Sequence, residues 1–205
     1  MLAASAQQAV EFTENKGQWN SSVLFRGAIN NGAFFLQQNG FTVLLHNEND
    51  LQQLAEQIHG HAGEAQTNHN VSKRNAYPRP GQGNQPDTAG GMVLRSHAYT
   101  MRFAGADANA TVLSEKPVNS YENYFTGNDP AQWAANCSIF QAVTYKNIYP
   151  NIDVRYYAQG GQLKYDIIVY PGANINDIVM QYEGADKLQI KNRELYIKTS
   201  VGDVK

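Results

Sequence analysis

Apolar and polar positions alternate along most of this chain. Short runs rich in Phe, Tyr, Val and Ile are broken every ten or so residues by Gly, Asn and Pro, the two-residue period of strands joined by turns. FFLQQNGFTVLL sets Asn39-Gly40, a strong hairpin signal, between two apolar runs. NIDVRYYAQGGQLKYDIIVY predicts a second hairpin whose register follows from its side chains. With Gly160-Gly161 as a two-residue turn, Arg155 lies opposite Asp166 and Tyr157 opposite Lys164 on one face, while Val154 meets Ile167 and Ile152 meets Val169 on the other. A third hairpin, KLQIKNRELYIKT, turns at Asn192-Arg193 and pairs Ile190 with Leu195 and Leu188 with Ile197.

Helical periodicity is scarce. Residues 49–58 carry Leu51, Leu54, Ala55 and Ile58 at one-face spacing, with Asn49 as a cap. In YFTGNDPAQW, Asp129 suits an N-cap and Pro130 the first helical position, and Trp133, Ala134 and Cys137 recur at helical spacing, which predicts a second short helix with Trp133 facing the sheet. Asn174 caps a single turn before the strand DIVMQY. The fold class predicted is all-β, mainly antiparallel and β-sandwich-like, with one or two short helices. A weak echo of Phe25-Arg26-Gly27-Ala28 at Phe103-Ala104-Gly105-Ala106 and Tyr182-Glu183-Gly184-Ala185 fits either strand-end turns or two duplicated sub-lobes.

Composition changes this picture at three places. Residues 59–91 hold almost no large apolar side chain and are rich in Gly, Pro, Asn and Gln, so they are expected to form a mobile polar insertion within one module spanning 9–205. The opening MLAASAQQ places Ala4-Ser5-Ala6 before Gln7; the pattern fits a cleavage site and equally an ordinary alanine-rich start, and residues 1–8 are read as the tail of an export signal. The net charge of -2 comes from interspersed signs, which disfavours nucleic acid, and no segment approaches the roughly 20 apolar residues needed to insert in a membrane.

Candidate chemistry is sparse. Asp153, Asp166 and Glu183 are the acids a polysaccharide or peptide hydrolase could use; Asp153 and Asp166 are expected on the exposed face of the 152–169 hairpin, where a contact from Arg155 would keep Asp166 ionised, which is wrong for a general acid. His59, His61 and His69 lie in the polar insertion, where ligands are poorly held, and His97 sits on a strand face as a hydrogen-bonded, half-buried side chain. The single cysteine, Cys137, reads as a buried apolar side chain. No catalytic, metal or cofactor set is assigned. The aromatics carry the binding suspicion, with Trp19 or Tyr157 serving as a sugar platform if exposed beside another ring.

Taken in order, FTENKGQW, NGFTVLLH, SHAYTMRFAGAD, NYFTGNDPAQW, VTYKNIYPNIDVRYYAQGGQLKYDIIVYPGANINDIVMQYEGADKL and LYIKTSVGD resemble an uncharacterised bacterial extracellular domain. That domain stands at the N-terminal end of large secreted or surface proteins, which often continue into β-propeller or immunoglobulin-like repeats and the sorting domains of Bacteroidetes gliding and type IX secretion systems. The resemblance implies a β-rich, exported module with an extracellular protein or glycan as partner, no family catalytic residues, and sequence continuing past Lys205. It also makes Asp87-Thr88-Ala89 similar to the short O-glycosylation motif of such proteins, with Thr88 as acceptor.

Overall fold

The computed structural model describes residues 10–60, 93–159 and 162–205. The expected signal remnant, His61, His69, Thr88 and the rest of the polar insertion up to 91, and the Gly160-Gly161 turn lie outside the described residues. The strands are β1 (Phe12–Glu14), β2 (Val23–Ile29), β3 (Gly32–Gln37), β4 (Gly40–His46), β5 (Ser96–Phe103), β6 (Thr111–Tyr124) and β7 (Ala134–Tyr149). They continue with β8 (Ile152–Gln159), β9 (Gln162–Val169), β10 (Met180–Glu183), β11 (Lys187–Lys191), β12 (Glu194–Thr199) and β13 (Gly202–Val204). One helix, α1 (Glu48–Gly60), and two single 3-10 turns complete the described elements. Every pairing is antiparallel, and the fold is all-β.

The long strand β7 organises the main sheet. Along one of its edges runs β6, from Thr111 opposite Lys146 to Tyr124 opposite Ala134. Its other edge is therefore shared, by β1 at Phe140 and by β8 from Ala142 onward. The sheet forks there into two arms, β1-β2-β3-β4-β5-β10 and β8-β9. Alternation then selects an inner face on each arm: Phe34, Leu36, Phe41, Val43, Tyr99 and Met101 on the first, Val143, Tyr145, Ile152, Val154 and Tyr156 on the second, all buried. The arms curl onto each other through ring contacts, Tyr156 lying 5.9 Å from Phe34 and 6.2 Å from Phe41, and Tyr149 6.3 Å from Phe103. Burying such rings is the largest single stabilising contribution available to the fold, at roughly 1.5–3 kcal/mol each.

A separate sheet, β11-β12-β13, packs Ile197, Leu195 and Val204 against this core. His97 clips it in place: its Nε2–H donates to the Gly184 carbonyl (2.7 Å) and its Nδ1 accepts from the Ser200 backbone N–H (3.2 Å). The half-buried, hydrogen-bonded histidine expected from the strand pattern thus joins the two sheets.

The second and third hairpins have the predicted registers, Arg155 opposite Asp166, Tyr157 opposite Lys164 and Ile190 opposite Leu195 among them. The first hairpin differs. Its two turn residues are Gln38 and Asn39, and Gly40 opens β4, because a Cβ at Gly40 would lie 2.0 Å from the Met101 carbonyl oxygen of β5. Gly40 serves a close strand approach rather than a turn. The helix also starts earlier than expected: the side chain of Asn47, not Asn49, accepts the Asp50 N–H (3.2 Å). Arg95 then donates to Asp50 from its Nε (2.9 Å), Nη2 (2.7 Å) and backbone N (2.9 Å), holding that carboxyl down at about 2 and tying the start of α1 to the strand that resumes after the insertion. Of the three echoed motifs, two end strands at left-handed Gly105 and Gly184, while Gly27 lies inside β2. The three motifs therefore do not share one local conformation, and two of them mark strand-end turns.

Candidate functional site

The stretch YFTGNDPAQW forms the free end of the β6–β7 ribbon. Gly127 adopts a φ of 72°, and Asp129 accepts the Ala131 N–H (3.0 Å) as N-cap of the Pro130–Gln132 turn, the roles its sequence predicts for Asp129 and Pro130. The predicted helix does not continue. Trp133 has an extended backbone (φ -87°, ψ 138°) and leads directly into β7, where Ala134 and Cys137 are buried as strand residues. Strand pairing along the sixteen-residue β7 outweighs two coincidences of helical spacing. Trp133 consequently does not face the core: it is 43 % exposed, rests edge-on against Phe125 (5.9 Å) and reaches the Gly127 carbonyl with its Nε1–H (3.4 Å). With Phe125, exposed by 61 %, it makes an uncovered aromatic pair, and Tyr121 on β6 is exposed by 60 %.

Beside this surface lies a cleft of about 990 Å³. Asn15 builds its wall: the amide nitrogen donates to the carbonyls of Asn20 (3.0 Å) and Val23 (2.8 Å), and the side-chain oxygen accepts from the N–H groups of Gly17 (3.0 Å) and Trp19 (3.2 Å). Those bonds hold Trp19 at the cleft, half-buried, edge-to-face with Tyr124 at 5.1 Å and with the Arg26 guanidinium 6.0 Å from its ring. Glu14, Asn20, Gln38 and Gln132 supply polar groups around it, and Phe25 an apolar wall. Trp19 thus does stand beside a second ring. Tyr157 does not: it is half-buried under Arg155 (5.4 Å) and donates its hydroxyl to Asp166 (3.2 Å).

On the outer face of β6 to β9, the carboxylates are braced. Asp153 was expected on an exposed surface, yet its side chain is only 1 % exposed. It accepts from Lys146 Nζ, the Asn147 backbone N–H (2.8 Å) and the Tyr170 hydroxyl (2.9 Å), fastening a bulge where Asn147 is left-handed (φ 52°). Burial pushes its pKa up, but these donors prevail and hold it below the ordinary value. Arg155, although opposite Asp166, pairs instead with Glu115 across β7 (3.2 Å), whose carboxyl is held low by the Thr144 hydroxyl and then by Arg155. Asp166 therefore takes its contact from Tyr157. Glu183 pairs with Arg102 (2.7 Å) on the outer face of the opposite arm, so the three acids do not converge on a common cleft.

A second cleft, of about 770 Å³, lies inside the curl between the arms and the small sheet. Phe34, Phe41, Tyr99, Tyr165 and Tyr182 line it together with aliphatic side chains of β9, β12 and β13. No local motif announces it, since its walls come from segments separated by up to 170 residues; the one legible signal is the alternation of Tyr99 and Tyr165 with polar neighbours.

Elsewhere, Cys137 is fully buried beside the Gln18 amide (3.4 Å), and burial pushes its thiol pKa up, the wrong direction for a nucleophile. Among the described residues there is no group of three metal-ligating side chains and no helix long and apolar enough to cross a membrane. No curated protein and no solved structure matches the chain. A family model, that of a domain of unknown function (DUF7948), matches residues 12–205, which takes in both arms, both clefts and the small sheet, and the chain belongs to that family.

Proposed function

We propose that this domain is a non-catalytic extracellular module of a secreted or cell-surface bacterial protein, acting in assembly, spacing or adhesion. The observation that carries the reading is the free end of the β6–β7 ribbon, where Phe125 and Trp133 stand out from a paired scaffold, with Tyr121 exposed further along β6. Large, stiff aromatic side chains, tryptophan and tyrosine above all, are enriched among the residues that anchor protein contacts. The Ala4-Ser5-Ala6 pattern and the Asp87-Thr88-Ala89 motif support export, and the ordered sequence resemblance supports a place at the N-terminal end of Bacteroidetes-type surface proteins. A double Phe125→Ser, Trp133→Ser substitution in the natural full-length protein tests the reading. The variant is expected to melt within a few degrees of the parent while the protein's attachment to its surface partner falls. Unchanged attachment at an unchanged melting temperature would remove the support.

A second reading, glycan binding, rests on the Trp19 cleft, which sets an aromatic ring among Asn20, Gln38, Gln132 and Glu14. Sugar rings present apolar faces and hydroxyl edges, and this lining offers a counterpart to each. A glycan array probed with the parent domain and Trp19→Ala should show binders that the variant loses; an array without binders disposes of this reading.

A further inference from the structure

We propose that the cleft inside the curl binds a small, uncharged and mainly apolar molecule carrying one hydrogen-bonding group, such as an alcohol or ester with an acyl-type tail, and that Tyr99 is the residue that recognises the polar group. The inference is independent of export and of the aromatic ribbon end.

The cleft's walls are mainly apolar, with Gln162, Glu194 and Lys205 as the polar exceptions. Phe34 and Phe41 stack at 4.7 Å on the β3–β4 hairpin, Tyr165 approaches Phe41 at 6.2 Å from the other arm, and Leu195 and Ile197 close the cleft from the small sheet. Its volume of about 770 Å³ falls inside the usual range of roughly 300–1,000 Å³ for small-molecule sites. Charge is confined to Glu194 and Lys205, which pair with each other at 2.8 Å, so neither sign is in excess and an ionised ligand has no counter-charge.

Tyr99 is what separates this cleft from a packing gap. Its side chain is 4 % exposed, its ring lies tilted 6.5 Å from that of Tyr182, and its hydroxyl, which forms no hydrogen bond within the described residues, is not sealed in the core but belongs to the cleft lining. Burial, then the neighbouring Tyr165, pushes the phenol up to about 12, so it remains a proton donor at any ordinary pH. Because it belongs to the lining, the hydroxyl keeps contact with solvent in the cleft, and a ligand that displaces this solvent must replace its hydrogen bond. The Tyr145 hydroxyl, also unpartnered, is sealed in the core, whereas Tyr99 lines an open cleft that a ligand can enter. A hydroxyl or carbonyl oxygen on an otherwise apolar molecule satisfies it.

The test uses the whole chain and Nile red, a neutral apolar dye with a carbonyl oxygen, read by fluorescence and displaced by 1-dodecanol, dodecanoate or dodecane. The parent protein should bind one dye saturably. Dodecanol should displace it better than the hydrocarbon or the charged carboxylate. Leu163→Trp, which fills the cleft, should abolish dye binding, and Tyr99→Phe should keep the melting temperature and weaken displacement by dodecanol about fivefold to tenfold, the loss of one hydrogen bond. Absence of saturable dye binding by the parent, equal displacement by all three competitors, or dodecanol acting on Tyr99→Phe as on the parent would each overturn the proposal.

Discussion

Replacing Asp153 with alanine separates a structural brace from a solvated surface charge. The carboxylate is almost fully enclosed and accepts three donors: the Lys146 ammonium, the Asn147 backbone N–H and the Tyr170 hydroxyl. A hydrogen bond to a charged partner contributes about 1.5–3 kcal/mol, and breaking a buried ion pair by removing one side costs about 3–5. Lys146 and Tyr170 are roughly two-fifths exposed and can turn to water, which lowers the sum, whereas the Asn147 N–H is fixed by its left-handed bulge. The expected cost of Asp153→Ala is therefore about 3 kcal/mol, or about 6–12 °C in melting temperature for a domain of this size. Asp166→Ala, which removes a single contact from Tyr157 on the surface, should stay within about 0.5 kcal/mol. Urea unfolding monitored by tyrosine and tryptophan fluorescence measures both, with unchanged slopes showing that the same surface is exposed. Equal midpoints for the two variants would refute the bracing argument and return Asp153 to the candidates for chemistry.

The same carboxyl fixes a pH dependence. Because its folded pKa lies below the ordinary 3.8, its stabilisation is complete above that value and is lost as pH falls through the lower folded value; Asp153→Asn should flatten this acid limb, and an identical limb would assign it to other groups. Tyr145→Phe removes the sealed, unpartnered hydroxyl and should be neutral or stabilise by about 1 kcal/mol, so a loss above about 1 would reveal a partner for that hydroxyl. Arg193→Gly should stabilise by about 0.5–1 kcal/mol, because Asn192 and Arg193 are both left-handed (φ 52° and 66°) in the β11–β12 turn; lower thermal stability would show that the Arg193 side chain contributes more than its backbone strain costs. Gly40→Ala should fold poorly or melt well below the parent, since the added carbon meets the Met101 carbonyl at 2.0 Å, and normal melting would show that β4 and β5 can part cheaply.

What could be read from the sequence was local and periodic. The 152–169 hairpin was legible because its charges and its apolar residues chose the same register, and the β11–β12 hairpin because Ile190 and Leu188 found apolar partners across an Asn192-Arg193 turn. Trp133 misled because two spacings, of three and four, imitated a helix, while the preference of β7 for strand came from pairing with β6, β1 and β8, most of which lies far along the chain from Trp133. Asp153 misled likewise: its face is outward by alternation, but Tyr170 and the Asn147 bulge fold over it. The Trp19–Tyr124 contact and the inner cleft depend on the fork at β7, a tertiary event with no local signature.

The central claim, that this is an exported contact module, is tested most directly by where the protein is found. Peptides from residues 12–205 can be quantified by mass spectrometry in the medium, in a surface fraction labelled with a non-permeant biotin reagent, and in the cytoplasm of the cells that make the protein. The account predicts that these peptides are enriched in the medium or the labelled surface fraction. Peptides confined to the cytoplasm and unlabelled on intact cells would contradict it.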